Sequence, residues 1–398
     1  MALDLTKVAG QVAAMVAGLK DNRAERDRRL NFALATLGSP AIDIAALQKK
    51  IKAGRTTWLV AELTEGLNQS YPLPEAPPDF TVIAADGSHI DVDRHQNTRC
   101  YLINIGAVSL RYGSQPEAVL ASQPRLYSED KDLAITPPGG GREQVVEGAL
   151  LGARRSIEEF RGLAGLATGL PPQSAALALL DGTLILWGLE AYPEFVSDAL
   201  VNAGLVPCLD AMRSLNKDRH LALASYISFP RSTDVVNVLR VALCPSPVPD
   251  CDKDCPPGKA RNCDRVAGVR DRDIFMERLG DSERSALFIS PSKVVKERYG
   301  EHRIYFFYVR AGGEIARLEV PQWVAEDETL LNLTHALVID QCRRGRGYPV
   351  ALAEAHEQAV VTGADRENFR ELVESSLIAG KMPSPVSAKS FSKRTRWL

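Results

Sequence analysis

Two short apolar runs in the chain each lead directly into an acid, a glycine and a hydroxyl residue. Residues 80–85 precede Asp86-Gly87-Ser88, and residues 175–180 precede Asp181-Gly182-Thr183. Apolar runs of this length that end in turn residues predict buried strands, and each glycine would let the chain turn at once. The pattern therefore places two carboxylates at strand ends, where they can converge on one site.

The flanking patterns predict a mixed sheet covered by helices. Apolar residues recur at helical spacing over residues 1 to about 70, and a proline-rich linker follows. Residues 101–110 predict a second strand, antiparallel to the first, and residues 119–133 carry a weaker strand pattern. A long helix is expected over residues 142 to about 166, with Glu143 and Glu147 one turn apart on one face.

The second half of the chain predicts further strands, a hairpin and helices. Residues 220–227 form a strand-like run, and residues 303–309 and 315–320 flank the hairpin signal Gly312-Gly313. Helical patterns follow over residues 328–343, 349–361 and 366–377. We expect an α/β protein with a helical region and linker at 1–78, a main domain at 79–380 with an irregular insertion at 244–272, and a disordered tail at 381–398.

Composition narrows the class of protein. The chain has 398 residues, 45% hydrophobic and 25% charged, with a formal net charge of -2. These are values of ordinary globular proteins, and they give no overall basic character, although a local basic groove would fit them. No apolar run reaches the roughly 18 residues of a membrane helix, so we expect no membrane partner. The N-terminus has no signal-peptide pattern, and seven cysteines suit a cytoplasmic protein with reduced thiols.

The two strand-end acids are candidate metal ligands. The carboxylates of Asp86 and Asp181 can hold Mg²⁺ or Mn²⁺, and Glu147 on the intervening helix would complete the set, with Glu143 as the competing register. Two such ions can support phosphodiester cleavage. Each Asp-Gly turn alone could instead be a structural Asx turn. The phosphatase pattern does not fit, because it needs a second acid two places from the first. The actin-like pattern does not fit either, because it needs a second glycine-rich phosphate loop.

Three further groups of residues could carry chemistry. Tyr348, before a helix that starts at Pro349, could contact a phosphate or pack, and His356 within it could ligate a metal, shuttle a proton or serve as a core histidine. The alternating polar residues His89, Asp91, Asp93 and His95 fit a solvated hairpin loop better than a metal site. The spacing Cys244-x6-Cys251-x3-Cys255-x7-Cys263 could bind Zn²⁺ or an iron–sulfur cluster, or leave four incidental thiols in a flexible loop.

Taken in order, several short motifs resemble those of the NurA-type DNA nucleases. They are Ile83-Ala84-Ala85-Asp86-Gly87-Ser88, Ile103-Asn104-Ile105-Gly106, Leu179-Leu180-Asp181-Gly182-Thr183, residues 315–321, and Gly347-Tyr348-Pro349 with Leu352 and Ala355-His356. The resemblance covers residues 80 to 360. The cysteine-bearing insertion is not part of the family pattern.

The resemblance implies an RNase H-like core, Mn²⁺- or Mg²⁺-dependent deoxyribonuclease activity, a homodimer, and action in DNA end processing with a HerA-type hexameric translocase. Position by position, it implies that Asp86, Glu147 and Asp181 bind metal and that Tyr348 and His356 complete the active site. The basic run Arg343-Arg344-Gly345-Arg346 would then contact DNA phosphates. The alternative is a non-catalytic scaffold or DNA-binding subunit of the same complex.

Overall fold

The computed structural model describes residues 4–91, 99–256 and 258–382. The strands are β1 (Glu62–Leu63), β2 (Ser70–Tyr71), β3 (Phe80–Ile90), β4 (Tyr101–Tyr112), β5 (Glu117–Tyr127), β6 (Ala134–Ile135), β7 (Gln144–Val145), β8 (Ala175–Asp181), β9 (His220–Ser228), β10 (Arg284–Ser285), β11 (Phe288–Ile289), β12 (Ile304–Ala311) and β13 (Glu314–Pro321).

The α-helices are α1 (Leu5–Asp21), α2 (Arg23–Leu37), α3 (Ile44–Ala53), α4 (Asp130–Leu133), α5 (Ala149–Thr168), α6 (Glu194–Ser197), α7 (Val206–Leu215), α8 (Asp234–Leu243), α9 (Cys251–Asp254), α10 (Asp271–Arg278), α11 (Lys293–Arg298), α12 (Gln322–Ala325), α13 (Glu328–Arg344), α14 (Val350–Ala359) and α15 (Gly363–Ala379). The chain forms two compact units, each discontinuous in sequence. The first contains Met1–Leu73, Ser228–Ser292 and Tyr305–Arg317; the second contains Pro74–Ile227, Lys293–Ile304 and Leu318–Leu398.

The second unit has the strand arrangement of the RNase H-like fold. Strands β3, β4 and β5 form an antiparallel meander, and β8 and β9 continue the sheet parallel to β3, in the order β9-β8-β3-β4-β5. The centres of the parallel strands, residues 176–180 of β8 and 221–224 of β9, are apolar and buried because protein covers them on both faces. In this register Ala85 lies beside Leu180, so that Asp86 and Asp181 follow at adjacent positions.

Helices cover both faces of this sheet. Helix α5 packs against β3 and β4, and α14 packs against β3, β4 and β5. An added Cβ on Gly106 would lie 2.1 Å from the Ala355 carbonyl oxygen of α14, and one on Gly87 would lie 2.6 Å from Oε1 of Glu159 of α5. Since Asp86 is paired with Gly106 and successive residues face opposite ways, Asp86 faces α14 and Gly87 faces α5.

The first unit has its own hydrophobic core. Helices α2, α3, α8 and α10 pack with strands β1, β11 and β12, and the buried side chains include Leu47, Leu239, Phe275, Phe306 and Tyr308. Strand β11 lies between β1 and β12, and β10 pairs with both β12 and β2. Helix α1 stands apart from this core, with exposed apolar residues along its length.

One helical stretch is long and apolar enough to span a membrane, which the sequence did not predict. Residues Glu194–Leu215 have the length and hydropathy of a membrane span, with a mean hydropathy of 1.3, and half of the window is buried within the protein. This stretch includes a π-helical turn and packs on α5, and Val201, Leu205 and Met212 belong to the core of the second unit. A core helix accounts for its apolar character.

The helical N-terminal region, the β3/β4 hairpin, and the strands that end at Asp181 and Ser228 are confirmed, but two local predictions are wrong. Strand β3 does not turn at Gly87; it continues to Ile90, because β4 pairs with it along its whole length. The helix expected from residue 142 begins only at Ala149, since Gln144–Val145 pair with Ala134–Ile135 and Gly148 has a φ of 56°. Asp93, His95 and most of the 381–398 tail lie outside the described residues.

Candidate active site

Asp86 and His356 come together across the face of the sheet that α14 covers. The Nδ1 atom of His356 lies 2.8 Å from Oδ2 of Asp86, and Oδ1 of Asp86 accepts a 2.7 Å hydrogen bond from the Gly87 amide. The His356 side chain is 61% exposed, so the expectation of a core histidine is wrong. The imidazole is therefore held by one carboxylate and open to solvent on its other side.

Asp181 ends β8, where the chain turns at Gly182 with a φ of 88°. The Asp181 side chain reaches solvent, yet desolvation by the surrounding protein and the charge of Asp86 raise its pKa. The Tyr348 hydroxyl donates to the Asp181 carboxylate and opposes that rise, while burial and the Asp181 charge raise the pKa of Tyr348 itself. Tyr348 and Asp181 thus form one hydrogen-bonded pair at the strand end.

Buried Glu319 holds the turn that follows Asp181. Its carboxylate accepts hydrogen bonds from the Thr183 hydroxyl at 2.6 Å and from the Leu184 amide at 3.0 Å. Glu319 is 1% exposed. The hydroxyl of the Asp-Gly-Thr motif therefore has a structural partner on β13, and this contact fixes the direction in which the chain leaves Asp181.

The acid that α5 contributes is Glu159. Its side chain lies against Gly87, where the missing Cβ leaves room for the carboxyl group. Burial, together with the charges of Asp86 and Asp181, raises the Glu159 pKa to about 7, although Arg155 Nε lies 2.9 Å from its Oε1 and acts in the opposite direction. Asp86 and Asp181 are therefore close enough to Glu159 for their charges to influence its ionisation.

The structure moves Glu147 and Glu143 off the helix on which they were predicted. Glu147 lies two residues before α5 and is half-buried, and Glu143 is exposed beside the short strand β7. Asp86, by contrast, raises the pKa of both Glu159 and Asp181. The physical reason is the late start of α5, which brings Glu159 to the sheet three turns further along the chain.

A sequence signal for Glu159 exists in hindsight. Glu158 and Glu159 interrupt an apolar stripe formed by Ile157, Phe160 and Leu163, and both acids are buried at 8% exposure. Glu158 is accounted for by ion pairs with Arg154 and Arg161. An acid on the core-facing side of a helix is costly unless it is paired or functional, so this position marks a site.

The basic run before Tyr348 is partly engaged within the protein. The Arg344 guanidinium pairs with Asp340 at 2.6 Å and lies over the Tyr112 ring at 4.2 Å. Within the described ranges, no three His, Cys, Asp or Glu side chains are arranged to hold one metal ion. That applies both to the acids of this site and to the cysteine segment.

Asn104 joins α14 to the sheet close to His356. Its amide group donates to the carbonyl oxygens of Gln358 and Ala359, both at 3.0 Å, and its side-chain oxygen accepts from Ser122 at 2.9 Å. Asn104 is buried, and it satisfies carbonyl groups at the C-terminal end of the helix that lack helical partners. The motif Asn104-Ile105-Gly106 therefore positions the helix that carries His356.

Comparisons with known proteins identify the family of this chain. No curated protein matches the chain. The catalytic domain of human endonuclease V is one of the solved structures that match; it is 14% identical, the match covers 83% of this chain and 96% of that domain, and the TM-score is 0.32. A family model described as the NurA domain matches residues 80–361. Because this match spans more than half of the chain, the protein belongs to the NurA family.

Proposed function

We propose that this NurA-family protein is a divalent-metal-dependent deoxyribonuclease that hydrolyses phosphodiester bonds. The observation that carries the proposal is the convergence of Asp86, Glu159 and Asp181: the Asp86 and Asp181 charges raise the pKa of Glu159, and the Asp86 charge raises that of Asp181. Clustered acids that raise each other's pKa destabilise an apo site, and such clusters are typical of functional sites. His356 and Tyr348 each bond to one of these acids, so that the chain supplies both ligands and a proton-transfer group.

The chemistry of the acids suits a hard divalent cation, although within the described residues no three of them stand at ligand positions around one ion. Oε1 of Glu159 is buried and has no well-aligned hydrogen-bond donor, even though it lies in an ion pair with Arg155. Carboxylate oxygens are the ligands that Mg²⁺ and Mn²⁺ prefer. We assign Asp86, Glu159 and Asp181 as the metal ligands, with His356 as a further ligand or proton carrier. Glu147, the acid expected from the sequence, is the alternative ligand, and substitution experiments can distinguish it from Glu159.

Each residue of the site has a distinct role in the proposed reaction. A bound divalent ion supplies Lewis-acid activation of water and of the phosphoryl oxygen. Asp86 orients the His356 imidazole through Nδ1, so that the second ring nitrogen can carry a proton to or from the reacting oxygens. The Tyr348 hydroxyl keeps the Asp181 carboxylate oriented and favours its ionised form.

The partners follow from the family and from one surface of the chain. We propose that the protein acts on DNA ends together with a HerA-type hexameric translocase, in the cytoplasm and as a homodimer. Helix α1 exposes Leu5, Val12, Met15, Val16 and Leu19, at between 41% and 69%. An apolar helix face of this kind is unusual on a monomer and supports its use in the contact between two copies.

Cleavage of labelled linear DNA with Mn²⁺ tests the proposal. We expect wild-type protein to degrade DNA, and Asp86→Asn and Asp181→Asn to remove the activity, because each variant loses a charged ligand. Asp130→Asn, at an exposed acid outside the site, is the matched control and should cleave normally. If wild type and both site variants behave alike, with or without the translocase, the protein is a scaffold or DNA-binding subunit instead.

A further inference from the structure

Four of the seven cysteines lie in one irregular segment of the first unit. Cys244, Cys251, Cys255 and Cys263 fall within 20 residues, between α8 and α10, and only Pro257 of this segment lies outside the described residues. All seven cysteines are described, and all are free thiols. The other three, Cys100, Cys208 and Cys342, are buried elsewhere in the protein. Four thiols concentrated in so short a stretch require a separate explanation.

The segment is tied to its surroundings mainly through its backbone. The Arg55 amide donates to the Pro249 carbonyl at 2.7 Å, and the Cys251 amide donates to the Arg55 carbonyl at 3.0 Å. The Lys50 ammonium group donates to the Cys244 carbonyl at 2.5 Å. These hydrogen bonds fix the backbone positions of Cys244 and Cys251. Beyond Cys251, the chain next packs on the rest of the unit at the 3-10 turn Asn262–Val266, which includes Cys263 and contacts α8 and α2.

All four cysteines of this segment are at least partly buried, as are Ser246, Pro249 and Asp250. Most described residues between Cys244 and Cys263 are exposed, including Val248 at 54%, whereas Cys263 is 7% exposed and the other three cysteines are half-buried. The Cys251 thiol interacts electrostatically with all three other thiols, and the Arg261 guanidinium donates to the Cys255 sulfur. The four sulfur atoms therefore share one local environment beneath an exposed polar loop.

The segment has almost no apolar material with which to hold that arrangement. Its regular structure is limited to the four-residue helix α9 and a short 3-10 turn, Asn262–Val266. A short stretch without a core of its own needs a covalent or metal cross-link to keep one conformation. Free thiols concentrated in one short segment are suited to soft metal ions.

We propose that Cys244, Cys251, Cys255 and Cys263 bind one thiolate-ligated metal centre that closes this segment. A zinc ion, with Zn–S bonds of about 2.3 Å, would bring all four sulfurs to within roughly 3.8 Å of each other. An iron–sulfur cluster holds its thiolates further apart, because several irons lie between them. Both centres use four thiolates, so the proposal is a four-cysteine centre, and the metal content of the protein distinguishes the cluster from a single zinc ion.

Protein purified without oxygen, and without added metal, tests the proposal through its metal content. A broad visible absorbance band with about four irons and four sulfides per chain identifies a cluster. One zinc per chain, with no visible band, supports the centre and assigns zinc. In either case the four thiols should resist alkylation in the native protein, and should react once the metal is removed.

Cysteine variants show whether these four residues hold the metal. Cys251→Ala and Cys263→Ala should lose the bound metal and should expose the segment to proteolysis. Cys208→Ala, at a buried cysteine outside the segment, should retain the full metal content. Metal-free wild-type protein with four freely alkylated thiols overturns the proposal, as does full metal content in both segment variants. The readout is independent of DNA cleavage, so failure here leaves the nuclease proposal untouched.

Discussion

The Nδ1 atom of His356 lies 2.8 Å from Oδ2 of Asp86, although 270 residues separate them in the chain. Two features of the sheet make this contact. Strand alternation turns Asp86 toward α14, and Gly106, directly opposite Asp86, lets that helix approach the backbone of β4. The contact therefore depends on the pairing of β3 with β4 and on a glycine that takes no part in the reaction. This dependence can be tested.

Replacing His356 should slow cleavage without disturbing the fold. His356 is exposed, so His356→Gln removes little packing, but it loses the group that Asp86 orients for proton transfer. We expect the rate of DNA cleavage under single-turnover conditions to fall by about 10²- to 10⁴-fold. His220→Gln, at an exposed histidine that begins β9, is the matched control. A variant that cleaves as fast as wild type would exclude a chemical role for His356.

The identity of the helix acid can be decided by three substitutions of equal size. Glu159→Gln should abolish cleavage, because it removes the carboxylate that lies closest to Gly87 and interacts with both aspartates. Glu147→Gln and Glu143→Gln should cleave DNA at near wild-type rates, since both residues lie outside α5. Binding of Mn²⁺, followed by calorimetry, should fall in parallel only for Glu159→Gln. Loss of activity in Glu147→Gln alone would instead assign Glu147 as the metal-binding acid.

The strands and their acids could be predicted because their signals are local. Apolar runs that end in Asp86 and Asp181, and the hairpin to residues 101–110, depend on patterns within about ten residues. Even here one local signal misled. The Asp-Gly-Ser pattern predicts a turn at Gly87, whereas this glycine leaves space for Glu159, and only the packing of α5 on β3 reveals that.

The helix acid could not be predicted because its position depends on where α5 begins. The stretch before Ala149 has helical spacing, but pairing of Gln144–Val145 with Ala134–Ile135 draws it into a short sheet. That pairing depends on tertiary structure, which periodicity does not report. Identifying the helix acid therefore required the three-dimensional packing. The only signal in the sequence was an acid within the apolar stripe at residues 157–163.

Filling the space at Gly106 should separate α14 from the sheet. A methyl group there would meet two backbone atoms, the Ala355 oxygen at 2.1 Å and the Ala359 nitrogen at 2.6 Å, and neither can rotate away. Gly106→Ala should therefore lower the free energy of unfolding by about 1–3 kcal/mol and also reduce cleavage. Gly165→Ala, inside α5 with open space around it, should instead stabilise by about 0.5–1 kcal/mol. Equal denaturation midpoints for the two variants would contradict the packing argument.

The raised pKa of Glu159 should appear as pH-dependent stability in the presence of a chelator. With a folded-state pKa of about 7 and an ordinary value of 4.5, the native state keeps a proton that the unfolded chain releases. This contribution is fully present below the ordinary pKa, and it is lost as pH rises through about 7. Glutamine has no carboxyl group to ionise, so Glu159→Gln does not lose this stability as the pH rises. Urea unfolding should therefore favour the variant over wild type by on the order of 2–3 kcal/mol more at about pH 8 than at about pH 5. Asp130→Asn, which removes a carboxylate from an exposed position, is the matched control. A Glu159→Gln stability difference that stays constant across this range would mean that Glu159 ionises normally, and the three acids would then not form one coupled site.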